Sequence, residues 1–99
     1  AKSGGLFDKV YVSAKSTAFT AAVGFTYLVN TGTAVTVTLP SAVTNAAIVI
    51  KDSAGTAATN NITINRADSA TIDGATSQTV SSNYGSMKLI SDGTNWFIT

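Results

Sequence analysis

A two-residue rhythm, interrupted every few positions by Gly, Asn, Asp or Pro, constrains this chain more than any other feature. In residues 34–39, Val35, Val37 and Leu39 alternate with Ala34, Thr36 and Thr38, and in 61–66 Ile62 and Ile64 alternate with Asn61, Thr63 and Asn65. Successive side chains of an extended strand point to opposite faces, so this pattern puts branched apolar residues on one side of a sheet and polar ones on the other. The same rhythm runs through Val23, Phe25, Tyr27 and Val29, through Val10 and Val12, and through Met87, Leu89 and Ser91 set against Lys88 and Ile90. The alanine-rich stretch 17–23 has helix propensity, but it is short, bordered by Thr and Gly, and sits in a chain without Glu; it reads as a loop.

Turn residues set how these runs connect. Asp92-Gly93-Thr94-Asn95 between 84–91 and 96–99 predicts a β-hairpin, since Gly accepts the positive φ of a tight reversal and Asp bonds the backbone just ahead. Asn30-Thr31-Gly32-Thr33 predicts a second hairpin joining 23–29 to 34–39, ended by Pro40, which has no N–H for a ladder. Residues 46–51 form an apolar run with Ile48 and Ile50 on one face and Val49 on the other, the pattern of a strand covered on both faces. Shorter runs follow at 71–73 and around Val80. The predicted fold is all-β: a small antiparallel β-sandwich or compact barrel of about seven to nine short strands joined by hairpins. Its expected core anchors are Phe25, Tyr27, Ile62, Ile64, Leu89 and Trp96.

Ninety-nine residues make one domain with a modest core, read as 8–99 behind a flexible N-terminal arm, 1–7, that Ser3-Gly4-Gly5 loosens. Leu6 and Phe7 in or beside that arm either cover the edge of the core or latch onto a neighbouring subunit. The Ala1 start fits removal of an initiator Met and favours a complete small protein. Charged residues are 11% of the chain, against roughly 25% in an average soluble protein. A surface so poor in charge is either dressed in Thr, Ser, Asn and Ala or buried against other chains. The net charge of +1, from singly scattered lysines and Arg66, offers no basic stripe for nucleic acid. No apolar run approaches the roughly 20 residues of a spanning helix, so no membrane partner is expected.

The catalytic inventory is thin. Without Cys or His there is no disulfide, thiolate or imidazole chemistry, and the many Ser and Thr lack a base. Asp8, Asp52, Asp68, Asp73 and Asp92 are the only carboxylates, and Asp52, Asp73 and Asp92 each precede a Gly within three positions, as turn residues do. Paired-carboxylate hydrolysis needs two of them held together, and calcium binding by Asp73 and Asp92 lacks the spacing of a calcium loop. The glycines mark turns rather than a phosphate cradle between strand and helix. Tyr11, Tyr84 or Trp96 could form a stacking platform for sugars or bases, but aromatics in strands more often fill a core or an interface. No enzyme activity and no cofactor are expected.

One resemblance is carried by an ordered series of motifs in 48–99: Ile50-Lys-Asp-Ser-Ala-Gly55, Asn60-Asn-Ile-Thr-Ile64, Thr71-Ile-Asp-Gly74, Tyr84-Gly-Ser86 and Leu89-Ile-Ser-Asp-Gly-Thr-Asn-Trp96. This half resembles a β-module of tailed-bacteriophage structural proteins, found in tail-fibre ends and small capsid-surface proteins. The resemblance implies a non-enzymatic building block, commonly trimeric. The leading expectation is a capsid decoration or cement protein on the outer capsid surface, a homotrimer clamping the major capsid protein. The alternative is the receptor-facing end of a tail fibre; a carbohydrate-active enzyme fragment is disfavoured by the empty catalytic inventory. The first half matches nothing in that module, so the capsid contact is expected in the arm, with Lys2, Leu6, Phe7 and Lys9 as cationic and apolar anchors.

Overall fold

The computed structural model describes residues 11–99, and of Tyr11 the backbone alone. Nine strands follow one another in this span: β1 (Tyr11–Lys15), β2 (Phe19–Thr20), β3 (Phe25–Val29), β4 (Val35–Thr38), β5 (Thr44–Asp52), β6 (Ile62–Asn65), β7 (Ser77–Val80), β8 (Ser86–Asp92) and β9 (Trp96–Ile98). They form two sheets, one of five strands in the order β1-β3-β5-β8-β9 and one of four in the order β2-β4-β6-β7. The all-β expectation holds and the strand number falls in the predicted range, but the alanine-rich stretch read as a loop contains the short strand β2.

The connectivity corrects the antiparallel, hairpin-built picture. From β1 to β6 the chain crosses from one sheet to the other at every step, and β1, β3 and β5 stack in parallel, as do β2, β4 and β6. Parallel neighbours need a crossover, and here the crossover is a strand of the opposite sheet. The result is a flattened coil of three windings, closed by antiparallel strands: β7 on β6, β8 on β5 and β9 on β8. The hairpin expected between 23–29 and 34–39 therefore does not exist; β3 and β4 lie in different sheets. Alternation reports only which face of a strand is apolar. Tyr27 and Val29 of β3 and Val35 and Val37 of β4 satisfy it by meeting across the core instead of side by side. The hairpin β8–β9 forms as expected, with Leu89 opposite Ile98 and Ser91 opposite Trp96.

The core lies between the sheets. One side contributes Tyr27, Val29, Ile48, Ile50, Met87, Leu89 and Trp96, the other Val35, Val37, Leu39, Ile62, Ile64 and Val80, and loop residues Ala21, Ala57, Ala70 and Ile72 close the margins. Phe25 stands at the rim, partly buried against this cluster and stacked on Tyr27 at 5.5 Å. Strand β8 alternates exposed and buried along its whole length. In β5 the register shifts between Thr44 and Ala46, around Asn45 at φ 63; such a bulge re-aims the strand so that Ala46, Ile48, Ile50 and Asp52 all point inward. The outer edge of β9 is covered by 71–73, through Trp96 N–H to the Thr71 carbonyl at 2.8 Å and Asp73 N–H to the Trp96 carbonyl at 3.0 Å. Asn95 Oδ1 also accepts the Thr71 N–H at 2.9 Å.

Candidate docking surface

All four described carboxylates hold backbone. Asp52, at the inner end of β5 and buried, accepts the N–H groups of Ala54 and Gly55 at Oδ1 (3.1 and 3.0 Å) and those of Ala57 and Tyr84 at Oδ2 (2.9 and 3.0 Å). Asp92 Oδ1 accepts Thr94 and Asn95 N–H, both at 2.9 Å, shaping the last hairpin. Asp68 accepts Ala70 N–H at 3.0 Å, and Asp73 accepts Ile98 N–H at 3.2 Å. Burial alone would push the Asp52 carboxyl up, but its amide donors together outweigh it and hold the group below the ordinary carboxylate value. Asp52 and Asp92 are turn fasteners, as their spacing before Gly suggested, whereas Asp73, expected to serve its own turn, holds β9 through Ile98.

The notable surface is the outer face of the five-stranded sheet. Ser13, Tyr27, Ile50 and Met87 share a row pointing into the core, so the rows beside it point out. These are Val12–Thr26–Val49–Lys88, then Ala14–Leu28–Lys51–Ser86, and, nearer the end of the molecule, Ala47–Ile90–Phe97. Val12 is 62% exposed, Ile90 40% and Phe97 39%, with half-buried Leu28 and Val49 between them. In β1 the pairing with β3 sets the polar Ser13 inward beside Tyr27 and the apolar Val12 outward beside Thr26, the reverse of an ordinary surface strand.

One end of this face is held by Tyr84. Its φ is 59, a left-handed conformation that costs a non-Gly residue roughly 1–2 kcal/mol, and it is fixed from several sides. Its N–H binds Asp52, its carbonyl accepts the Lys51 ammonium, and that ammonium lies 6.0 Å from the ring centroid. The ring lies against Gly55, where a Cβ would meet it at 2.5 Å. The side chain is nonetheless exposed. Of the three aromatics singled out as a stacking platform, Trp96 is buried in the core, Tyr84 is on the surface, and the side chain of Tyr11 lies outside the described residues.

A family model for bacteriophage T4 gp9/10-like proteins, N-terminal, matches residues 1–95. The chain belongs to this family. It is thus a bacteriophage structural protein of the virion. No curated relative matches it. The gp9/10-like match takes in the first half as well as the second, so attachment through the arm no longer follows from the first half being unlike the rest. Lys2, Leu6, Phe7 and Lys9 lie outside the described residues. Of the expected core anchors, Tyr27, Ile62, Ile64, Leu89 and Trp96 are buried and Phe25 is at the rim. The outer-face residues Val12, Leu28, Ile90 and Phe97 were not singled out from the sequence. Two signals pointed toward them: the uninterrupted apolar run of β5 and the scarcity of charge.

Proposed function

We propose that this chain is a non-catalytic assembly module of a phage virion, a homotrimer that docks onto another virion protein. The family match over 1–95 carries the reading. It is supported by the carboxylates bound to backbone amides and by the low charge. Trimer formation draws support from the sheet edges. Among the described residues β1 and β2 have a strand on one side only, and Lys15, the one lysine of β1, is turned over the rings of Phe19 and Tyr27 at 5.3 and 5.9 Å instead of guarding the edge. Association of copies would cover such edges.

Within the virion, the tail- and baseplate-related character of the family supports a tail position. The second reading is the capsid decoration protein bound to the major capsid protein, supported by the likeness of 48–99 to capsid-surface proteins. Length does not separate the two, because the family describes an N-terminal portion. Quantitative mass spectrometry of separated heads and tails decides: the chain is expected with the tails, at few copies per particle. Recovery with heads at a copy number comparable to the shell subunit would establish the decoration reading instead. Native mass spectrometry of the isolated protein is expected to give a trimer, and a monomer at all concentrations would refute it.

A further inference from the structure

We infer that the outer face of the five-stranded sheet is the docking surface for a different virion protein, one presenting an apolar patch rimmed by carboxylates. The inference rests on the virion reading above and adds the surface and the chemistry of its partner. Strand β5 is apolar on both faces, as strands are when both are covered, yet the second sheet covers only the face bearing Ile48 and Ile50. Across the open side, Val12, Leu28, Val49, Ile90 and Phe97 spread over all five strands. Strands about 4.8 Å apart and three outward rows give the whole face an area on the order of 400 Å², which the five apolar side chains share with Thr26, Lys51, Ser86 and Lys88.

Charge selects the occupant. The three outward rows carry Lys51 and Lys88, and the carboxylate on the same side of β8 is that of Asp92, one row beyond them at the strand end. A second copy seated face to face would bring lysines against lysines in a desolvated contact that no carboxylate within the three rows balances. Among the described residues the exposed carboxylates, Asp68, Asp73 and Asp92, stand on loops or at the strand end and hold backbone N–H groups. A partner that fills the apolar centre must therefore bring its own Asp or Glu to Lys88 and Lys51.

Zero-length carbodiimide coupling of purified virions, which joins a lysine amine to a carboxylate in direct contact, tests this when the linked peptides are identified by mass spectrometry. Lys88 is expected to be linked to Asp or Glu of another virion polypeptide. In parallel, Phe97→Glu and Lys88→Glu should each lower copies per particle at least tenfold, while the purified variants keep the melting temperature and oligomeric state of the parent. Linkage of Lys88 to another copy of this chain overturns the inference in favour of a self-interface. Unlinked Lys88 with undiminished incorporation of both variants also overturns it, leaving the virion reading intact. Absence of the chain from purified particles removes the virion reading and the inference together.

Discussion

A single carboxylate, Asp52, ties the end of β5 to the loops on either side by accepting N–H groups from Ala54, Gly55, Ala57 and Tyr84. Each buried donor that loses its acceptor costs about 1–3 kcal/mol, not additively, so Asp52→Ala should lower stability by ~3 kcal/mol or more in urea unfolding. Asp52→Asn should cost less, because the amide oxygen retains part of the acceptor set. The proton makes a further prediction. Burial raises the Asp52 pKa, but the amides of Ala57, Tyr84, Gly55 and Ala54 together bring it below the ordinary 3.8. The folded state thus holds this proton less tightly than the unfolded chain, and the stabilisation is complete above that value and lost as pH falls through the folded pKa. Asp68, held down by the Ala70 amide and the Ser41 hydroxyl, and Asp92, by the Asn95 and Thr94 amides, act in the same direction. Melting temperature should be flat from neutral pH to about 5 and drop below about 4, with a shallower drop in Asp52→Asn. Trp96, the first residue of β9, buried in the core and bridged through its backbone to Ile72, is the other decisive residue. Trp96→Ala should cost about 3–5 kcal/mol in urea unfolding, the range for deleting a buried large aromatic, whereas a change within about 0.5 kcal/mol would mark a surface site.

At the level of elements, the closing hairpin was the most readable part of the chain. Asp92 fastens the turn through two amides, and Gly93 sits at φ 96, where its missing side chain lets the Thr44 hydroxyl approach. Gly93→Ala combines a left-handed backbone penalty of about 1–2 kcal/mol with a collision against Thr44. Chemical unfolding of this variant is therefore expected to show a loss of at least that size, and an unchanged midpoint would show that the turn relaxes. The linker 30–34 looked similar and behaves differently. Both segments supply turn residues between alternating runs, but the β3 edges are taken by β1 and β5 in parallel, leaving β4 to continue on the other sheet. Turn chemistry says that the chain changes direction; it does not say whether the next strand pairs with the last or faces it.

The whole molecule is a coil whose pairings join distant residues: Val29 with Asp52, Val35 with Ile62, Thr44 with Asp92. Loop closure precedes the reward from such contacts, so refolding from urea is expected on the millisecond-to-second scale of non-local β-proteins. Stopped-flow fluorescence of Trp96 would follow it, and completion within microseconds would contradict the dependence on long-range pairing. Because β5 pairs with both β3 and β8, the signal should report assembly of the central sheet rather than closure of the last hairpin alone.

What residue order determined by itself is most of the strands, though not β2, and the inward side of most of them, because a period of two leaves Ile48 and Ile50, Ile62 and Ile64, or Met87 and Leu89 no other way to share a core. It also determined the local role of Asp52 and Asp92, since a carboxylate two or three residues before a turn amide binds it, whereas the bonds from Tyr84 to Asp52 and from Ile98 to Asp73 came from the tertiary structure. Only the tertiary structure decided that consecutive strands alternate between sheets, as parallel pairing depends on contacts between residues far apart in sequence. It alone turned Val12 outward, since the partner row of β3 with Tyr27 pointing inward fixes the side on which Ser13 and Val12 fall. The apolar outer face follows from that same registration of five strands, and no stretch of the sequence contains it.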